Sequence, residues 1–173
     1  MQRRTLWTGG VALAACAAGA GVAWWRLHPR EALSPALAAF WASRFDGPNG
    51  EPVVMQQFLG RPLLVNFWAT WCPPCVEELP MLNAFQAAHG SRGWQVLGLA
   101  VDQTTAVRQF LQKLPLVFPV GMAGFAGTEI SRTLGNQGGG LPYSVVFDRA
   151  GAVLHQKIGK LSEDDLAQWA QLA

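Results

Sequence analysis

Leu63-Leu64-Val65-Asn66-Phe67-Trp68-Ala69-Thr70-Trp71-Cys72-Pro73-Pro74-Cys75 joins two kinds of local pattern. The run from Leu63 to Trp68 is short and almost wholly apolar, as in a strand buried on both faces. From Pro73 to about Ala88 the spacing of Leu79, Leu82, Phe85 and Gln86 is near-helical. Pro73 and Pro74 suit a first helical turn, where a missing N–H costs no intrahelical bond. His89-Gly90 reads as the helix end. Both cysteines of the stretch therefore fall where a buried strand gives way to a helix.

The pattern continues outward on both sides. Trp94 to Val101 is a second buried strand, and Thr104 to Lys113 a helix with Val107, Phe110, Leu111 and Leu114 on one face. Pro115 and Pro119 bracket a short segment, and residues 126–134 read as a further helix. Gly135 to Gly140 is a flexible loop with three consecutive glycines. Tyr143 to Asp148 is a strand, Arg149-Ala150-Gly151 a turn, and Ala152 to Ile158 its hairpin partner. Ser162 with Asp165 three residues on resembles a capping box, with Leu166 and Trp169 facing the core. Upstream, residues 36–45 fit helix or strand. Asp46-Gly47-Pro48-Asn49-Gly50 is a strong turn, and Pro52 to Met55 a returning strand, giving an N-terminal hairpin. Alternating strands and helices followed by a hairpin and a helix define an α/β layout.

A Cys-x-x-Cys at a strand–helix junction is the thioredoxin-type redox motif. At the helix N-terminus, free amides and the helix dipole stabilise an anion, which makes Cys72 the attacking thiolate. Cys75, one turn in, is the buried resolving partner. Pro73 and Pro74 stiffen the loop but remove two amide donors near the Cys72 sulfur, and the sequence does not give the sign of their net effect. Structural zinc needs about four ligands, and no second Cys-x-x-Cys or His pair exists. Covalent haem needs Cys-x-x-Cys-His, where this chain has Val76. No metal or cofactor is expected beyond the cysteine pair; a purely structural disulfide remains the alternative.

Composition narrows the rest. The 173 residues, 50% hydrophobic and 14% charged, suit one domain with one core and exclude a disordered chain. Three cysteines are too few for a disulfide-stapled scaffold. The net charge of +2 comes from the N-terminus: Arg3, Arg4, Arg26 and Arg30 all precede Glu31. Setting those four of the thirteen basic residues aside leaves nine against eleven acidic ones, which excludes a basic nucleic-acid-binding face. Residues 5–25 carry no charge, and Leu6-Trp7 and Trp24-Trp25 stand at the two ends. Such a run spans roughly 30 Å, a hydrocarbon core, with interfacial tryptophans. The first reading is an uncleaved anchor within residues 1–27, followed by a linker at 28–35 and a domain at 36–173. A signal peptide cleaved at Ala18-Gly19-Ala20 and a lipoprotein acylated at Cys16 are its rivals. Arg3-Arg4-Thr5-Leu6 weakly resembles a twin-arginine signal. All three readings place the domain across the membrane.

Val65 to Cys75 resembles the TlpA/ResA-like membrane-anchored thioredoxins. The resemblance covers roughly residues 36–173 and is strong over 62–82 and at Gly140-Leu141-Pro142-Tyr143. Pro80 matches the family's helix-kinking proline, Pro142 its cis-proline facing the disulfide, and residues 102–120 its central strand–helix insertion. The resemblance implies a thioredoxin fold with an N-terminal hairpin extension, preceded by a hydrophobic helix. It implies disulfide reduction outside the cytoplasm, often in cytochrome c maturation or copper-centre assembly, with a membrane thiol-transporter as electron donor. The expected setting is a bacterial inner membrane facing the periplasm, with the chain a monomer.

Asn66 departs from cytoplasmic thioredoxins, which carry a buried Asp there. Asn66 cannot titrate, so Glu78 is the candidate base; it matches a glutamate functional in ResA-like proteins. It lies on the Cys75 face of the helix, whereas Glu77 should point away. Trp71 is expected in the docking surface, Trp68 beneath the loop, Pro142 presenting its neighbour's backbone to substrate, and His155 as an ordinary strand residue. A dithiol oxidase or isomerase is the nearest rival function. A copper chaperone of the Sco type would need Cys-x-x-x-Cys and a downstream His, and a peroxiredoxin a single peroxidatic Cys.

Overall fold

The computed structural model describes residues 33–171. The expected hydrophobic helix, its three alternative fates and Cys16 lie outside the described residues. Among those described, no helix is long and apolar enough to cross a membrane.

Among the described residues, seven strands form one sheet in the order β2-β1-β5-β4-β3-β6-β7. β3 (Leu63–Trp68), β4 (Gln95–Ala100) and β5 (Val120–Met122) run parallel. β6 (Tyr143–Phe147) is antiparallel to β3, and β7 (Val153–Ile158) antiparallel to β6. β1 (Arg44–Asp46) and β2 (Pro52–Val54) form the N-terminal hairpin, which joins the sheet where Asp46 pairs with Met122 of β5. Among the described residues the α-helices are α1 (Pro35–Trp41), α2 (Pro73–His89), α3 (Thr104–Lys113), α4 (Gly127–Thr133) and α5 (Glu163–Ala170).

Strand alternation divides the core into two layers. On one face Leu64 and Trp68 of β3 pack with Leu79 and Leu82 of α2, Val107 of α3 and Leu166 of α5. On the other, Leu63, Val65 and Phe67 pack with Leu37, Phe40 and Trp41 of α1 and Ile130 of α4. Helices on both faces explain why every residue of β3 and β4 is buried. Residues 36–41, ambiguous in the sequence, are helical because Ser34 caps the helix by accepting from the Leu37 N–H and Pro35 occupies its first turn. Trp41 then fixes α1 to the sheet: its indole N–H donates to the Gly151 carbonyl at 2.8 Å.

β3-α2-β4-α4-β6-β7-α5 is the thioredoxin fold, and α3 with β5 is the insertion placed between β4 and α4. α3 has the bounds read from the sequence, and α5 carries the capping box, Ser162 and Asp165 each bonding the other's backbone. α2 ends at His89 as read from the sequence, but its cap geometry differs. Gly90 keeps right-handed geometry (φ −57°) and opens a short 3₁₀ turn, Gly90–Arg92; the left-handed residue is Gly93 (φ 101°). The extra turn delays the reversal by three residues and leads into β4.

Candidate functional site

The site lies at the C-terminal end of β3, where the chain leaves the sheet for α2. Cys72 is the helix N-cap and forms a disulfide with Cys75, with Cα atoms 5.3 Å apart. Cys72 retains 4% of its surface and Cys75 none. Beside them Trp71 is 64% exposed, whereas Trp68 is fully buried against Phe110, ring centroids 5.4 Å apart. Gly98 on the neighbouring strand makes room for that indole, since a Cβ there would lie 3.0 Å from Trp68 Nε1.

The first turn of α2 has few amides to offer an anion. The Cys72 N–H donates to the Ala69 carbonyl at 3.3 Å, and the Val76 N–H donates to the Cys72 carbonyl at 3.1 Å. Pro73 and Pro74 have no N–H. Only the Cys75 amide among the first helical donors is left without an intrahelical role.

One turn into α2 from Cys75 a buried polar trio forms around Glu78. Glu78 lies one turn after Cys75 with no exposed surface. Its Oε1 accepts from Asn66 Nδ2 at 2.7 Å, and its Oε2 accepts from the Leu161 N–H at 2.8 Å. Asn66 Nδ2 also donates to the hydroxyl of Ser144, its partner across β3 and β6, at 3.0 Å. Asn66 Oδ1 is buried and accepts nothing. Burial pushes the Glu78 carboxyl above the usual carboxylate range, against the opposing pull of Leu161, Asn66 and, more remotely, Lys160 and Lys157. Glu77 turns outward to pair with Lys160 at 2.6 Å. The Leu141–Pro142 peptide is cis, and the Pro142 carbonyl accepts from the Gly159 N–H at 2.8 Å.

Residues 37–171 match the Redoxin family. The chain belongs to that family. The thiol-disulfide oxidoreductase ResA of Bacillus cereus (strain ZK / E33L) is 32% identical over 124 residues, 71% of this chain and 69% of the relative. Among solved structures, a putative thiol:disulfide interchange protein DsbE from Chlorobium tepidum is 30% identical, with a TM-score of 0.66 over 75% of this chain and 89% of that one. MTB dsbF superposes with a TM-score of 0.67 at 25% identity, over 80% of this chain and 97% of that one. The protein is thus a TlpA/ResA-like redoxin, a protein thiol-disulfide oxidoreductase.

Other residues of this redoxin site had escaped the sequence reading. Asp102, just past β4, accepts from the Thr70 N–H at 2.8 Å and the Thr70 hydroxyl at 2.6 Å through Oδ2, and from the Gln103 N–H at 2.7 Å through Oδ1. The only hint was an acid directly after a buried strand. The glycine loop before Pro142 is also more constrained than its composition suggests. Asn136 is fully buried and donates to Ser131 Oγ at 3.1 Å and to the Gly140 carbonyl at 2.8 Å. The Tyr143 hydroxyl donates to the Leu134 carbonyl at 2.5 Å, and burial pushes its pKa up to about 12. His155 stacks on Trp169 as part of the β7 surface. Among the described residues, no group of His, Cys, Asp and Glu could hold a metal ion.

Proposed function

We propose that the chain is an extracytoplasmic protein-disulfide reductase in which Cys72 attacks and Cys75 resolves. The asymmetry of the pair carries this reading: Cys72 keeps an accessible edge beside the exposed Trp71, while Cys75 is sealed next to a buried carboxylate. In the dithiol form, Cys72 thiolate attacks a substrate disulfide, forming a mixed disulfide and expelling one substrate thiolate. Cys75 loses its proton and attacks the Cys72 sulfur, forming the Cys72–Cys75 disulfide and expelling the second substrate thiolate. Two electrons pass from the dithiol to the substrate. Glu78, about 5–6 Å from Cys75 between Cβ atoms at this helical spacing, takes the Cys75 proton, which its raised pKa suits near neutral pH. Trp71 is a docking surface. Pro73 and Pro74 hold the loop, and Pro142, its carbonyl engaged by Gly159, leaves the Leu141 backbone to face substrate.

The uncharged run 5–25 supports export, with the domain held at the outer face of a bacterial inner membrane. A membrane thiol-transporter then re-reduces the pair, and substrates are disulfides of proteins in cytochrome c maturation or copper-centre assembly, met by a monomer. The test is the midpoint potential of the full-length chain in defined thiol–disulfide buffers, read by tryptophan fluorescence. Thioredoxin at about −270 mV and DsbA at about −120 mV set the scale. A value below roughly −230 mV, nearer thioredoxin, is expected; one above roughly −160 mV, nearer DsbA, makes the protein an oxidant or isomerase.

A further inference from the structure

We propose that Asp102 and Thr70 form a clamp that positions Trp71 for docking on protein disulfides, an inference that rests on the disulfide-exchange reading above. The β3–β4 ladder ends where the Val101 N–H donates to the Trp68 carbonyl at 2.8 Å. Beyond it the backbones part, one turning toward α2 and the other entering α3 at Thr104. Continuing the register that pairs Trp68 with Ala100 brings Thr70 opposite Asp102. A side-chain carboxylate replaces the backbone acceptor there, only 7% exposed and bonded to three donors.

Its effect is local and directional. One oxygen takes both the Thr70 amide and the Thr70 hydroxyl, so the Thr70 backbone and side chain are fixed together. Thr70 is the second residue of the turn closed by the Cys72 N–H on the Ala69 carbonyl. Trp71, the third, projects into solvent. The direction of that exposed indole is therefore set by the residue before it rather than by packing of its own, whereas Cys72 is held by its place at the N-cap of α2. A small disulfide needs only the Cys72 sulfur, whereas a protein must also find the indole surface in place. Misplacing a positioned group by about 1 Å is enough for a large loss of rate.

Thr70→Val keeps the shape and removes the hydroxyl donor; Thr70→Ser keeps both donors; Asp102→Asn halves the acceptor capacity. Each full-length variant, reduced beforehand, is assayed against insulin as a protein disulfide and against 5,5′-dithiobis(2-nitrobenzoate) as a small one. Thr70→Val and Asp102→Asn are expected to lose about tenfold in kcat/KM on insulin, the loss of one charge-assisted hydrogen bond. They should stay within twofold on the small disulfide, with Thr70→Ser near wild type on both. Equal losses on both substrates, no loss on insulin, or a Thr70→Ser variant as impaired as Thr70→Val each overturn the clamp. A wild-type chain that reduces neither disulfide overturns the exchange reading itself, and the clamp with it. A wild type active on both and matched by Thr70→Val overturns the clamp alone.

Discussion

Glu78→Gln separates the charge of the buried carboxylate from its shape. In the wild type its two oxygens hold the Asn66 amide and the Leu161 N–H at 2.7 and 2.8 Å. Glutamine keeps one oxygen for Leu161 and turns an amide toward Asn66. Asn66 can answer that change, because its buried Oδ1 has no partner. A half-turn of the Asn66 amide presents this oxygen to the introduced donor and to the Ser144 hydroxyl, so no buried hydrogen bond is lost. Glu78→Ala has no such recourse: it leaves two buried donors without acceptors, at about 1–3 kcal/mol each. The stability difference between wild type and Glu78→Gln then reports the charge. Burial raises the folded-state pKa, so ionisation weakens the wild-type fold as pH rises from the ordinary carboxylate range through the raised value, and no further above it. Glu78→Gln lacks that loss. Its Tm should match wild type at acid pH and exceed it by a growing margin through the window. The chemical effect runs the other way. Removing a general base costs about 10²–10⁴-fold, so reoxidation of the dithiol by insulin near neutral pH should slow at least about 100-fold, or about 2.7 kcal/mol. Stopped-flow tryptophan fluorescence across pH measures the rate and calorimetry the Tm. A Glu78→Gln chain that reoxidises within twofold of wild type at every pH, or loses stability relative to wild type as pH rises, refutes this account.

Two further outcomes follow from the geometry. Cys75→Ser keeps the accessible sulfur and removes the resolver, so it should accumulate a mixed disulfide with a substrate protein on non-reducing gels, while Cys72→Ser gives none; trapping through Cys75 instead would reverse the roles. Ser162→Ala removes the N-cap of α5 and should cost about 1 kcal/mol in thermal unfolding at neutral pH. Desolvation pushes the Asp165 carboxyl up, but hydrogen bonds from Lys157 and Ser162 outweigh it and hold the pKa at about 2. The stability this confers is present above the ordinary aspartate range and is lost as pH falls through about 2, so the gap between Ser162→Ala and wild type should narrow there.

What the sequence showed and what it hid differ in range. The strand at Leu63–Trp68, the bounds of α3 and the capping box of α5 depend on residues within a turn or a pleat of one another, so periodicity and caps reveal them. The placement of Glu78 and Glu77 followed from helical spacing alone. The attachment of the hairpin to β5 did not show, because three-residue strands carry no usable period and a single residue pair makes the join. Asp102 and Thr70 are 32 positions apart, and Asn66 and Ser144 are 78 apart. Such partnerships are created by sheet order, which no local pattern encodes. Asn136 was hidden for a related reason: a glycine-rich loop looks mobile until one buried amide is found to tie its two ends.

The effect of the two prolines, unsigned in the sequence, gains a direction once the amides are located. Cys72's own N–H is held by Ala69, Val76's by the Cys72 carbonyl, and Pro73 and Pro74 have none. A thiolate at Cys72 therefore has one first-turn amide and the helix dipole to stabilise it, fewer donors than a helix start without prolines supplies. Weak stabilisation of the thiolate leaves the dithiol form less favoured against the disulfide, and a less favoured dithiol is the stronger electron donor; DsbA shows the converse, a strong oxidant because its reduced form is stabilised. Asn66 acts in the opposite sense: an aspartate there would add a second negative charge and disfavour the thiolate further, whereas the neutral amide leaves Glu78 as the carboxyl of the buried trio, reached from α2 rather than from β3. In the proposed reductase the amides favour the reducing direction while the buried carboxylate is the proton acceptor for resolution, so the direction of electron flow and the rate of release would be set by different residues and could be altered separately.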